Sequence, residues 1–161
     1  MKKVLAIVLV VLTVFMLYGC GGKSKAEKIC KVAGLGDTLE IWVQDHKEPI
    51  KDHGMYKAFK PDADFFTTFE NDRATDILFQ NTTKGKPPED IKLMTPEDAQ
   101  FTTTTEKPDE NTNGMIKLII KNGHSEKLKK ILPKTNGNFT LTTMLDAQTN
   151  KYVGSELKIL K

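Results

Sequence analysis

Three histidines, two cysteines and three serines bound the chemistry open to this chain. His46 and His53 stand seven residues apart, beside Asp45 and Asp52. Zinc ligands on a helix usually stand about four apart. A helix end and a loop that brought two imidazoles and a carboxylate together would be the metal alternative. The default reading is two surface histidines flanking a turn, with His124 at a helix start. Ser24, Ser125 and Ser155 sit in no Gly-x-Ser-x-Gly elbow. The carboxylate pairs Glu89-Asp90 and Glu97-Asp98 read as helix-start charges. A cysteine between Ile29 and Val32 acts as a small hydrophobe, so Cys30 reads as packing. There is no glycine-rich phosphate loop and no calcium loop. No catalytic residue, metal ligand or cofactor is assigned.

Cys20 is different because of what precedes it. Lys2 and Lys3 are followed by Val4 to Tyr18, fifteen residues interrupted only by Thr13. Such a run is short for a bilayer span and suits the core of an export signal. Leu17-Tyr18-Gly19-Cys20 then resembles the bacterial lipobox, with Tyr18 bulkier than the small residue usual there. The resemblance implies a leader over 1–19, a diacylglyceryl group on the Cys20 sulfur, and a lipidated tether over 20–33. It places the protein on a bacterial cell membrane or outer membrane, facing periplasm or exterior. A buried methylene contributes about 0.8 kcal/mol, so two or more acyl chains anchor stably. The lysines of the tether either solvate a spacer or favour anionic headgroups. Asn81-Thr82-Thr83 and Asn138-Phe139-Thr140 match the glycosylation pattern, which a bacterial leader makes idle.

Without its leader the chain has 142 residues, about a third of them apolar, and a net charge of +1 instead of +3. That suffices for one packed domain over 34–161. Two cysteines exclude a disulfide scaffold, and a single long apolar run excludes a multispan membrane protein. Residues 37–110 carry 17 acids and 9 bases, and residues 111–161 carry 3 acids and 9 bases. The two halves therefore attract each other, or the basic one offers a docking face. Nucleic acid is not expected, because no basic-aromatic interleaving supports it.

The elements that position these residues follow from spacing. Asp37-Thr38-Leu39-Glu40 has the capping-box form, and Leu39, Trp42 and Val43 share a face, so a helix is predicted over 37–47, closed by Pro49. Strands are predicted over 55–60, 65–69 and 74–81, with turns at 61–64 and 71–73. Phe65, Thr67 and Phe69 fall on one face, as do Ile77 and Phe79. Lys84 to Pro88 reads as a break, and Glu89 to Met94 as one helical turn. Phe101 to Thr105 is a threonine-rich strand, Lys107 to Asn113 a mobile loop, and Met115 to Lys121 a strand ended by Asn122-Gly123. Ser125 caps a helix with Leu128, Ile131 and Leu132 on its face, stopped by Pro133. Phe139 to Leu145 and Tyr152 to Leu160 form a C-terminal hairpin. The expected fold is α+β: antiparallel strands, as a meander plus that hairpin, packed with two or three short helices, in one domain of two helix-plus-strand halves. No residue repeat at a fixed period links the halves.

Over 34–81, the glycine-led helix, Gly54-Met55-Tyr56 and Phe69-Glu70-Asn71-Asp72-Arg73-Ala74 resemble small bacterial lipoproteins of the SmpA/OmlA type and β-lactamase-inhibitor-like domains. The likeness covers about 45 residues, and Asp45-His46-Lys47-Glu48-Pro49 lacks the expected glycine. It implies a non-catalytic α+β interaction domain and assigns no functional residue. The expectation is a lipid-anchored binding module with an envelope protein partner. The alternatives are a small envelope enzyme or a ligand- or metal-binding accessory lipoprotein. A cleft lined by Trp42, Tyr56 and Phe66 would favour a small ligand, and a flat apolar patch a protein.

Overall fold

A computed structural model describes residues 26–54, 56–59, 65–80 and 89–161. The leader, Cys20 and the tether as far as 25 lie outside the described residues, as do the turn at 61–64 and the break at 84–88. Eight antiparallel strands form one sheet: β1 (Lys51–His53), β2 (Tyr56–Phe59), β3 (Phe65–Glu70), β4 (Arg73–Gln80), β5 (Gln100–Pro108), β6 (Ile116–His124), β7 (Asn138–Asp146) and β8 (Tyr152–Ile159). Their spatial order is β1-β2-β3-β4-β8-β7-β6-β5. Among the described residues three short helices accompany them: α1 (Leu39–His46), α2 (Asp90–Leu93) and α3 (Glu126–Ile131). Strands dominate these residues.

The C-terminal hairpin is more central than expected. β8 pairs with β4 on one side and β7 on the other, joining two four-stranded meanders edge to edge. β1 was not anticipated. It turns into β2 at Gly54, whose φ of +80° suits glycine. Nor is 107–113 a loose loop. β5 runs to Pro108, and Asp109 then accepts from the Asn111 amide at 3.0 Å to start a short 3-10 turn over Glu110–Thr112. Asn122-Gly123 does not end β6 either. A Cβ on Gly123 would lie 2.4 Å from the Phe139 ring, so glycine there lets the aromatic ring cross the strand.

α1 also differs. Its N-cap is Thr38, whose Oγ1 accepts from the Ile41 amide at 3.4 Å. Asp37 is fully buried, and its carboxylate turns back to accept from the amides of Ile29 (2.8 Å) and Gly34 (3.0 Å). Burial pushes the Asp37 carboxyl up, and those two amides pull it back. The Ala74 amide donates to the Asp37 carbonyl at 3.0 Å, and Arg73 Nη1 to the Gly36 carbonyl at 2.8 Å, so this loop is laced to the start of β4. Asn71 and Asp72, both at positive φ, make the expected turn before it.

The stretch 20–33 is not tether throughout. Ile29, Cys30 and Ala33 are buried in the same hydrophobic cluster as Leu35. Backbone bonds from Val32 to Leu93 (3.1 Å) and from Leu35 to Met94 (2.9 Å) dock this segment on α2. Gly34 permits the approach, since a Cβ would stand 2.1 Å from the Met94 carbonyl oxygen.

α3 is as read. Ser125 Oγ accepts from the Leu128 amide at 3.0 Å, and Pro133 opens a 3-10 turn that ends the helix. Leu128, Phe139, Leu157 and Ile159 join Trp42, Phe65, Phe69, Ile77 and Phe79 in one core. Trp42 packs as expected on the first meander. Its ring lies 5.1 Å from Phe59, 5.7 Å from Phe69 and 5.8 Å from Phe65, and its Nε1 donates to the Gly34 carbonyl at 3.0 Å. The buried residues of α1 are Ile41, Trp42 and His46, so the helix is rotated from the expected Leu39, Trp42, Val43 face.

His46 is thus a core residue and not a surface one. Its ring stands 4.8 Å from Trp42, and Nε2 donates to the Ala33 carbonyl at 2.8 Å.

Two outcomes follow from this packing. Truncating a buried aromatic costs about 3–5 kcal/mol, so Trp42→Ala loses that much in urea denaturation, and an unchanged midpoint would refute the packing. Burial depresses the His46 pKa, so the unfolded chain takes up the proton first and His46's contribution to stability falls as pH drops below about 6.5. His124 acts with the opposite sign, because its hydrogen bonds to Glu126 and Asn138 raise its pKa. Between pH 7.5 and 5.5, urea titrations of wild type and His46→Gln isolate the first effect: wild type loses more stability than the variant. Equal losses would contradict the account.

Candidate functional site

Strand alternation sends one set of side chains into the core and leaves the other on the outer face of the sheet. The buried helical residues Ile41, Trp42, Ile91 and Leu128 all join the inner set, so among the described residues no helix is buried against the outer face. The register builds that face in rows. One row runs Ala58, Phe66, Leu78, Glu156, Thr142, Ile120, and the next Tyr56, Thr68, Asp76, Lys158, Thr140, Asn122. Tyr56 and Phe66 stack at 5.3 Å with planes 13° apart, and His53 lies 6.2 Å from Tyr56.

The β4–β8 seam carries the charged centre. Lys158 Nζ stands 3.0 Å from Asp76 Oδ2 and 3.3 Å from Glu156 Oε1. The side chains of Asp76 and Glu156 are 25% and 28% exposed. Burial, and then the neighbouring Asp76, push the Glu156 carboxyl up. The hydrogen bond to Asp76 holds the Lys158 ammonium above its ordinary range. A depression of about 390 Å³, lined by Thr68, Glu70, Asp76, Lys158, Leu160 and Lys161, adjoins the pair.

The residues singled out by type are placed elsewhere. His46 is in the core, His53 on the outer side of the edge strand β1, and His124 at the end of β6, bonded to Asn138 (3.2 Å) and Glu126 (2.8 Å). Cys30 is buried, its thiol donating to the carbonyls of Met94 (3.3 Å) and Leu35 (3.5 Å), and burial pushes its pKa well up. Asp98 accepts from Ser125 Oγ (2.5 Å) and the Lys127 amide (2.9 Å), and Glu97 pairs with Lys127 at 2.8 Å, so these acids brace α3. Ser155 is buried on the inner face. Among the described residues no group of three or more His, Cys, Asp and Glu side chains is placed to hold a metal, and no helix is long and apolar enough to cross a membrane. Tyr56 and Phe66 do come together, but Trp42 lies buried across the sheet from them, so the three line no cleft.

Asp76, Glu156 and Lys158 were not singled out from sequence. The only signal was indirect: with Ile77 and Phe79 facing inward, Asp76 and Leu78 must face outward. Comparison of the chain with protein-family models, curated proteins and solved structures gives no match.

The coupled carboxylates give a direct check. In Asp76→Asn the Glu156 carboxyl loses its like-charged neighbour and titrates at lower pH, read by carbon-13 NMR of the side chain. An unmoved Glu156 titration would show that the two do not interact.

Proposed function

We propose that this protein is a lipid-anchored lipoprotein of the bacterial envelope, of α+β type, that acts as a non-catalytic protein-interaction module through the outer face of its sheet. The observation that carries the reading is the meeting of two features. Leu17 to Cys20 stand in lipobox register behind an export-type leader, and among the described residues no helix is buried against a broad face bearing Tyr56, Phe66 and Leu78. A helix followed by a four-stranded meander over 39–80 supports the likeness to SmpA/OmlA-type and β-lactamase-inhibitor-like domains. Ala26 packs against the core and stands six residues from Cys20, a leash of about 20 Å at full extension. Lipid on Cys20 therefore holds the domain close to the membrane by its helical side and leaves the outer face free for a partner.

Cys20→Ser is expected to abolish palmitate labelling and to leave the precursor uncut or released. Labelling that survives would refute the anchor. In a strain deleted for the gene, the Tyr56→Ala, Phe66→Ala double variant is expected to fail to complement at normal abundance, whereas Lys134→Ala, beside α3, complements. Full complementation by the double variant would refute the choice of face.

A further inference from the structure

The outer face holds one feature that narrows the partner. At the seam, two carboxylates share a single ammonium: Lys158 lies within 3.3 Å of both Asp76 and Glu156. The cluster keeps one negative charge in surplus, on side chains about three-quarters removed from water. Burial, and then Asp76, push the Glu156 carboxyl up. The nearby Glu70 is already balanced by Lys161 at 2.8 Å. Lys51, on the same face, lies four strands from Glu156, about 19 Å away, beyond the screening length.

Apolar surface lies beside this charge. Leu78 is the cross-strand neighbour of Glu156, and Phe66, stacked on Tyr56, is the next one along the row. Two strand spacings separate Phe66 from Glu156, about 10 Å. An extended segment spans that distance in about three residues. A guanidinium suits the charged end, since its planar fork bonds carboxylates pairwise and its faces stack on aromatic rings.

The same charge tells against other occupants. A second copy docked with its twofold axis at this seam would bring its own surplus carboxylate against this one, and anionic lipid or nucleic acid would meet the same repulsion. We propose, resting on the reading of the outer face as the docking surface, that this face takes an extended protein segment whose arginine or lysine head pairs with Asp76 and Glu156 beside Lys158 and whose neighbouring apolar side chain lies on Tyr56 and Phe66.

The test uses the full chain in the bacterium that makes it, with a photo-crosslinking residue at Thr140, half-buried on the outer face opposite Lys158, or at Lys134 as the control. The linked peptide is sequenced by mass spectrometry. The expected result is a Thr140 adduct with another protein, whose linked segment carries Lys or Arg within a few residues. Yield is expected to fall about tenfold in Asp76→Asn, Glu156→Gln, as loss of charged hydrogen bonds requires. Thermal melting of this variant checks that it stays folded. A linked second copy, a segment without a basic residue, or an undiminished yield in the double variant would overturn the inference while leaving the outer face as the docking surface. Adducts from Lys134 alone, or from neither position, would overturn both.

Discussion

The pairing of β8 with β4 is the constraint on which the rest depends. The last strand of the chain returns to lie between β4 and β7, and only then do the two meanders become one sheet. A chain of about 60 residues buries only about 60% of the surface its unfolded form exposes, so neither half has much core of its own. The seam completes the inner rows, placing Leu157 beside Ile77 and Ser155 beside Phe79. It also builds the outer centre, since Asp76 and Glu156 meet nowhere else. Without it β4 and β8 would each present an open edge, a template for pairing with other chains.

A second tie crosses the halves on the helical side. Residues 29–35 run into the core and bond to Leu93 and Met94, while Asp37 and Gly36 bond to the start of β4. The buried Asp37 carboxylate makes this possible, because it satisfies amides that the loop leaves without a strand or helix partner. Residues 29–35 are thus part of the core, held to it by backbone bonds as well as by packing. The outer face is set by the same arrangement, since the helices and residues 29–35 share the other side.

Local chemistry was legible in the sequence; long-range placement was not. Ser125, the turn at Asn71 and Asp72, the alternation of Phe65, Thr67 and Phe69, and the burial of Trp42 follow from rules that act within a few residues. Asp37 misled because two adjacent residues could cap α1, and the choice was made by the amides of Ile29 and Gly34, upstream of it. His46 misled because burial depends on what lies over a helix end, and a histidine among charged neighbours resembles a surface residue. Gly123 looked like a stop because its reason, the Phe139 ring, sits on another strand. The charged centre was invisible for the same cause: Asp76 and Glu156 are eighty residues apart and share no motif. Only the strand order brings them together.

Native-state hydrogen exchange on the soluble domain beginning at Lys25 tests the seam most directly. If β4–β8 pairing holds the two meanders in one cooperative unit, the amides of Ile77, Phe79, Ser155 and Leu157 exchange only by global unfolding. Their free energies of exchange then match the stability measured by urea denaturation, and both halves lose protection together as denaturant rises. Separate free energies for 39–80 and 100–159, with seam amides opening before either, would contradict the account.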